Sequence, residues 1–88
     1  MTGYVYQFKD VEGDVVYVGH TQHMYERMCL HFGNHSEYKG VIPKEERGYV
    51  QKVEYVELNS QFNMLVLEAY LIALWKPKYN RDFVREDE

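Results

Sequence analysis

The chain has 88 residues, of which 45% are hydrophobic, 16% aromatic and 27% charged, and its formal net charge is −4. This length fits one small domain, the apolar fraction excludes a disordered chain, and no apolar run reaches the ~20 residues of a membrane span. A protein that binds nucleic acid tightly by itself is usually basic, so the charge argues against a strong independent DNA binder.

The cellular compartment is predicted from two simple features. The N-terminal residues have neither the basic nor the apolar segment of a secretory signal, and Cys29 is the only cysteine. A chain that cannot form an internal disulfide is typical of a reducing environment. We therefore expect a cytoplasmic protein.

A β-hairpin is predicted at the start of the chain. Residues 4–8 alternate and are rich in strand formers, residues 10–14 have turn chemistry, and residues 15–18 form a second apolar run. Gly13 provides the freedom for a positive φ in the turn. Gly19 is expected to leave the sheet, at a point where a side chain would obstruct close backbone approach.

A first helix is predicted over residues 22–32, with Thr21 as its N-cap and Gly33 at its C-terminal end. Apolar residues recur every four positions along it and should form its buried stripe: Met24, Met28 and Phe32. The following residues, 35–48, have the composition of a loop, with one helical turn at 43–46.

A third strand over residues 49–58 and a second helix over residues 61–75 complete a ββαβα order. Asn59 and Ser60 precede this helix as caps, and Pro77 prevents its continuation. Because the helix is apolar almost all round, we expect it to be buried as the spine of the fold. The domain should span residues 1–80, followed by an acidic solvated tail over residues 81–88.

Glu68 is the residue that departs most from its surroundings. It is the only charged residue between Leu58 and Lys76, in the middle of the apolar helix. A desolvated carboxylate costs several kcal/mol unless a cation, a metal or a proton accompanies it. Two readings follow: a structural pair with an arginine or lysine, or an acid in a cleft that binds metal or handles protons.

The first helix offers positive charge on one face. His23, Arg27 and His31 are spaced at i, i+4 and i+8, which suits the binding of a phosphate group. A solvated face is the alternative for the two histidines. Arg27 could equally be the structural partner of Glu68, and spacing does not decide between these hypotheses.

Tyrosines cluster on the hairpin at positions 4, 6 and 17. Tyr6 and Tyr17 would project from one sheet face if the register allows. Most such tyrosines are core residues with a satisfied hydroxyl, and a phenol acting as general base would need a nearby cation to lower its pKa.

Two further chemistries are weaker alternatives. A zinc site would draw on scattered candidates that have no recognised finger spacing. Cys29 as a nucleophile has no visible activating group and is more typical of a core position. The candidate zinc ligands are His20, His23, Cys29, His31 and His35.

These residues together resemble a known family. Tyr4-Val5-Tyr6, ten further residues and then Tyr17-Val18-Gly19 resemble the paired signatures of the GIY-YIG nuclease superfamily, with Tyr4 in place of the first glycine. Four later positions also match the family, in its order and spacing: Arg27, His31, Glu68 and, at the end of Pro77-Lys78-Tyr79-Asn80, Asn80.

The resemblance implies an α+β, sandwich-like fold with a three-stranded antiparallel sheet flanked by helices. It also implies hydrolysis of DNA phosphodiester bonds with one divalent metal, Mg²⁺, for which Mn²⁺ could substitute. By analogy Glu68 would bind the metal, Arg27 would neutralise charge on the phosphoryl oxygens, and Tyr6 would take a proton from water. The other expected site residues are Tyr17 and His31 as assistants, Asn80 as an ordering residue, and Gly19, His20, His23 and Lys39 as nucleic-acid contacts.

The sequence therefore predicts a small stand-alone DNA endonuclease. The alternative is a nucleic-acid-binding or regulatory module that keeps the fold without turnover, which the net negative charge favours. A protein-interaction domain would need a large exposed apolar patch. Branched DNA and RNA are alternative substrates, a DNA-targeting protein or a second copy is an alternative partner, and no membrane association is expected.

Overall fold

The computed structural model describes residues 2–33 and 42–80. The acidic tail, His35 and Lys39 lie outside these residues. The predicted order and the α+β class are confirmed, with a 3₁₀ helix at Lys44–Tyr49 where one helical turn is predicted. The strands and helices are β1 (Gly3–Asp10), β2 (Val15–Thr21), α1 (Met24–Phe32), β3 (Val50–Leu58) and α2 (Gln61–Trp75).

The sheet has three antiparallel strands in the order β2-β1-β3, so β2 lies at an edge. Tyr6 in β1 pairs with Gly19 on one side and with Tyr55 on the other. The hairpin turn contains Gly13 at φ +87°, and the carboxylate of Asp10 accepts the backbone N–H groups of Glu12 and Asp14. This turn brings Tyr6 and Tyr17 onto the same sheet face, as predicted.

The expectation that Gly19 leaves the sheet is wrong. The strand continues through Gly19 to Thr21, and Gly19 remains paired with Tyr6. A side chain here would obstruct a ring rather than a turn, since a Cβ atom on Gly19 would lie 2.6 Å from the hydroxyl oxygen of Tyr6. The glycine therefore makes room for the tyrosine within the sheet.

The sheet separates two buried clusters. On one face Tyr6, Phe8, Ile42 and Tyr79 form a core against which α1 packs with Met24 and Met28. On the other face Val5, Val18 and Met64 form a second core, packed by residues that α2 contributes. These are Leu67, Leu71 and Ile72. We refer to the two sides as the α1 face and the α2 face.

Helix α1 begins two residues later than predicted. Its N-cap is His23, which makes no side-chain capping bond, and Thr21 belongs to β2. The prediction of Thr21 as the N-cap is therefore wrong, although its hydroxyl does accept the backbone N–H of His23 at 3.0 Å. Met24 and Met28 pack on the core as expected. The prediction that Phe32 is buried is wrong, since it is 36% exposed, with its tilted ring 5.1 Å from that of Phe8 between centroids.

Helix α2 is not buried all round, contrary to the sequence-based expectation. Of its residues only Met64 is fully buried, because a sheet of three strands covers one side of the helix. Its caps are as predicted: Ser60 accepts the N–H of Asn63, and the helix ends at Lys76 (φ +48°) before Pro77. The outer side exposes Phe62, Leu65, Val66, Tyr70, Leu74 and Trp75.

No helix in the described ranges has the length and apolar character needed to cross a membrane.

Candidate active site

Tyr6 and His31 form the buried centre of the α1 face. Tyr6 lies in β1 and His31 in the last turn of α1, and their side chains are 1% and 2% exposed, respectively. The hydroxyl of Tyr6 is 2.9 Å from Nε2 of His31. The Tyr17 ring, on β2, has its centroid 6.1 Å from that of Tyr6 and 5.4 Å from that of His31.

Burial determines the protonation states in this cluster. It raises the pKa of Tyr6 and of Tyr17, and the charge of Glu68 acts in the same direction on both. Burial also lowers the pKa of His31 to about 4, with Arg27 contributing. At neutral pH the phenol of Tyr6 thus keeps its proton and the imidazole of His31 is neutral, and the tautomer of His31 sets which of the two groups donates in this bond.

Arg27 lies on α1 with an exposed side chain, yet its charge reaches the buried cluster. It lowers the pKa of Tyr6, Tyr17 and His31, although burial outweighs it for both tyrosines. His23, one turn earlier, is also exposed and contacts Glu26 at 3.6 Å. The predicted row of three cations is therefore wrong at neutral pH, because its third member, His31, is buried and neutral.

Glu68 approaches the same region from α2. Its side chain is 21% exposed, and its Oε1 atom is 2.9 Å from Nδ1 of His20, a β2 residue. Among the ion pairs of the described residues, Glu68 pairs with His20 and Arg27 is not its partner. The carboxylate also raises the pKa of Tyr6 and Tyr17, so groups from both faces of the sheet interact around the β2 edge.

Asn80 holds the outer side of β2. Its side-chain amide donates to the carbonyl oxygen of Val18 at 2.9 Å and accepts the N–H of Val18 at 2.8 Å. Because β2 is an edge strand, these two backbone groups have no neighbouring strand on that side. Asn80 therefore fixes the strand between Tyr17 and Gly19.

The zinc site considered from the sequence has no support in the described part of the chain. The one group of three or more potential ligands there is Asp10, Glu12 and Asp14 in the hairpin turn, at the opposite end of the hairpin from His20. His20, His23, Cys29 and His31 form no such group, and His35 lies outside the described residues. Cys29 is half-buried on α1.

A divalent cation suits the donors that Glu68 and His20 present. Both side chains are partly exposed, at 21% and 34%, and they offer a carboxylate oxygen and an imidazole nitrogen in contact with each other. Hard divalent cations prefer carboxylate oxygen, and several also accept imidazole. The residues present thus fit a bound divalent metal ion.

Two features of the site were not indicated by the sequence pattern. The pairing of His20 with Glu68 joins residues 48 positions apart, and nothing in the local spacing of either one indicates the other. Phe8 packs its ring edge-to-face against His31, at 5.0 Å between centroids, and so belongs to the wall of the site. The alternation of β1 could have indicated Phe8, since it lies on the same strand face as Tyr6.

The three-stranded sheet with two tyrosines, an arginine, a histidine and a glutamate around one edge is the arrangement of a GIY-YIG domain. Residues 2–81 match the family described as the UvrC-like GIY-YIG domain, and the chain belongs to this family. The resemblance noted in the sequence is therefore confirmed.

Curated relatives include the UvrABC system protein C of Caldanaerobacter subterraneus subsp. tengcongensis, 34% identical over 76 residues, and that of Cytophaga hutchinsonii, 35% identical over 79 residues. Each alignment covers 86% of this chain, which spans only 12% and 13% of the two relatives. Among solved structures, the GIY-YIG N-terminal endonuclease domain of UvrC from Thermotoga maritima, bound to magnesium as its catalytic divalent cation, is similar. Its TM-score is 0.69 at 24% identity, covering 88% of this chain and 81% of that chain, which supports the fold.

Proposed function

We propose that this chain is a divalent-metal-dependent endonuclease that hydrolyses phosphodiester bonds of DNA. The observation that carries the proposal is that the charge of Glu68, from the α2 face, acts on Tyr6 and Tyr17, which cluster with His31 on the α1 face. Buried titratable groups with shifted pKa values beside a partly exposed carboxylate are typical of catalytic sites. The magnesium-bound endonuclease domain of similar fold supports the same reaction class.

In this proposal Glu68 is the protein ligand of Mg²⁺, with Mn²⁺ as a substitute. The cation, when bound, would stabilise negative charge on phosphate oxygens. Arg27, exposed on α1 but close enough to act on the buried tyrosines, would neutralise charge that grows on the phosphoryl group. Asn80 would keep β2 in place through its two bonds to Val18.

Tyr6 would accept the proton of the attacking water. Because burial raises its pKa, Tyr6 is not ionised at neutral pH and is a poor base by itself. The 2.9 Å bond to His31 offers a solution. In the tautomer with Nε2 unprotonated, Tyr6 would take a proton from water and pass its own proton to Nε2 of His31, so that no phenolate forms. Because burial and Arg27 disfavour the resulting imidazolium, the step relies on the negative charge of the bound phosphate to stabilise it. Tyr17, the more exposed of the two tyrosines, would orient the water.

Substrate contacts and partners belong to the same proposal. Gly19, His20 and His23 would contact nucleic acid near the β2 edge, together with Lys39 outside the described residues. The net charge of −4 implies weak, salt-sensitive binding of DNA by this chain alone. The relatives are components of the UvrABC system, and we propose that this chain likewise works with a DNA-targeting partner or a second copy, in the cytoplasm.

The test is cleavage of supercoiled plasmid with Mg²⁺ by the wild-type chain and by Glu68→Gln. We expect the wild type to nick the plasmid and Glu68→Gln to lose about 10²-fold or more of the rate, because the charge that holds the cation is removed. Glu57→Gln, an exposed glutamate on β3, is the matched control and should cleave normally. Equal rates for Glu68→Gln and wild type, with both folded by circular dichroism, would contradict the assignment.

A non-catalytic nucleic-acid-binding module is the second candidate, favoured by the raised pKa of Tyr6. Under this alternative the chain would shift duplex, flap or junction DNA, or RNA, in a gel without cutting it in Mg²⁺ or Mn²⁺. The same set of substrates in the cleavage assay separates the two functions.

A further inference from the structure

The contact between His20 and Glu68 goes beyond what a single-carboxylate metal site requires. Nδ1 of His20 and Oε1 of Glu68 are 2.9 Å apart. His20 lies in β2 opposite Val5, and Glu68 lies in the middle of α2, so two separate elements bring these atoms together. Both side chains remain partly exposed, at 34% and 21%, which leaves the pair open to an ion from solvent.

The separation of the two atoms matches that of neighbouring ligands around one cation. Divalent metals bind oxygen and imidazole nitrogen at about 2.0–2.2 Å. Two adjacent ligands of an octahedral shell are therefore about 3 Å apart, close to the observed 2.9 Å. The same distance is that of a hydrogen bond, so a shared ion would take the place of the proton between Nδ1 of His20 and Oε1 of Glu68.

We propose that His20 is a second protein ligand of the cation that Glu68 binds, so that the site is a nitrogen-and-oxygen pair. The inference rests on the proposed function, because it assigns the same cation to Glu68. In the described ranges no third histidine, cysteine or carboxylate joins the pair. The remaining positions of the shell are thus left to water and to the oxygens of the substrate phosphate.

The identity of the ligands sets the preference among metals. Carboxylate, carbonyl and water oxygens suit Mg²⁺, whereas imidazole favours the transition metals, and affinity for a mixed site rises from Mn²⁺ towards Cu²⁺. A site with His20 should therefore favour Mn²⁺ over Mg²⁺.

The test uses the whole chain loaded with Mn²⁺ and a spectroscopic readout that does not depend on cleavage. Electron spin echo envelope modulation detects a nitrogen nucleus bonded directly to Mn²⁺. We expect this nitrogen signal in the wild type, its loss in His20→Ala, and its retention in the control His23→Ala, whose histidine is exposed on α1. The wild-type spectrum carries the test even if His20→Ala fails to fold.

Titration calorimetry with each metal alone provides the second measurement. We expect the wild type to bind Mn²⁺ about tenfold or more tightly than Mg²⁺, and His20→Ala to lose most of that preference while its Mg²⁺ affinity changes little. Glu68→Gln should weaken the binding of both ions.

The outcomes separate this inference from the proposed function. Mn²⁺ binding that depends on Glu68 but gives no nitrogen signal would overturn the assignment of His20 as a ligand and leave the endonuclease proposal standing. A nitrogen signal that persists in His20→Ala would also overturn it. Cation binding that does not depend on Glu68 would overturn the assignment of His20 as a second ligand beside Glu68. The plasmid assay with Glu68→Gln then tests the proposed function separately.

Discussion

The two faces of the sheet are packed by different kinds of side chain. The α1 face packs aromatic rings around one imidazole, with Tyr6, Phe8, Tyr17 and His31 within 5.0–6.1 Å of one another between centroids. The α2 face packs aliphatic and thioether side chains and places the carboxylate of Glu68 beside His20 of β2. One face thus hides its titratable groups from water, whereas the other brings its charge to the edge of the sheet.

This difference allows one small domain to hold both buried titratable groups and a partly exposed carboxylate. Burial keeps the phenol of Tyr6 protonated and the imidazole of His31 neutral at neutral pH. The cation proposed for Glu68 would need access from solvent, and the Glu68 side chain is 21% exposed. The edge strand β2 lies between the two environments and belongs to both.

The largest expected effect on the free energy of unfolding comes from a substitution in α2. It also tests which side of α2 is buried. Met64→Ala removes a side chain that is 1% exposed, and we expect a loss of about 2–5 kcal/mol in the free energy of unfolding. Phe62→Ala, on the same helix but 72% exposed, should change it by about 0.5 kcal/mol or less. Urea denaturation of both variants measures the contrast. Similar losses would mean that the outer side of α2 is also covered.

The pH dependence of stability tests the buried imidazole of the α1 face. The pKa of His31 is about 4 in the folded protein, against an ordinary 6.5, so between these values the unfolded chain binds more protons. Stability should therefore fall as the pH drops from 6.5 to 4, by about 3 kcal/mol from this residue. Urea melts across this range should give a flatter profile for His31→Gln than for the wild type. His23→Gln should follow the wild type, and parallel profiles for all three proteins would disprove the assignment.

The smallest expected effect compares one glycine on each face. Gly19→Ala would place a methyl group 2.6 Å from the Tyr6 hydroxyl, in a ring cluster with little freedom to shift, and should cost about 1–3 kcal/mol. Gly3→Ala would meet the end of the Met64 side chain, which can change its rotamer, so its cost should be smaller. Thermal unfolding of the two variants ranks them. The reverse order would show that the α2 face is the more rigid of the two.

Local sequence patterns were sufficient to predict the strands and helices but not how far each of them is buried. Alternation predicted the hairpin and put Tyr6 and Tyr17 on one face, and the Ser60 cap and Pro77 predicted the limits of α2. The same apolar pattern suggested that α2 is buried on all sides. Burial depends on how many elements surround a helix, and three strands cover only one side of this one.

The candidate site shows the same contrast between what sequence spacing indicates and what depends on contacts between distant residues. The family-like spacing indicated Arg27, His31, Glu68 and Asn80 as site residues. In the structure the last three contact β2, at Tyr17, His20 and Val18, respectively. The spacing did not indicate that His31 is buried and neutral, or that Glu68 contacts His20 rather than Arg27. Each of these depends on a meeting of side chains 25 or more positions apart, which no local spacing encodes.

The amide of Asn80 has a consequence for how the chain behaves among other chains. An edge strand with an unpaired N–H and C=O is a template on which a foreign strand can dock. By occupying both groups of Val18, Asn80 acts as a single rung of a fourth strand and ends the ladder at that point. The side chain that orders the β2 edge thus also protects it from strand-to-strand aggregation.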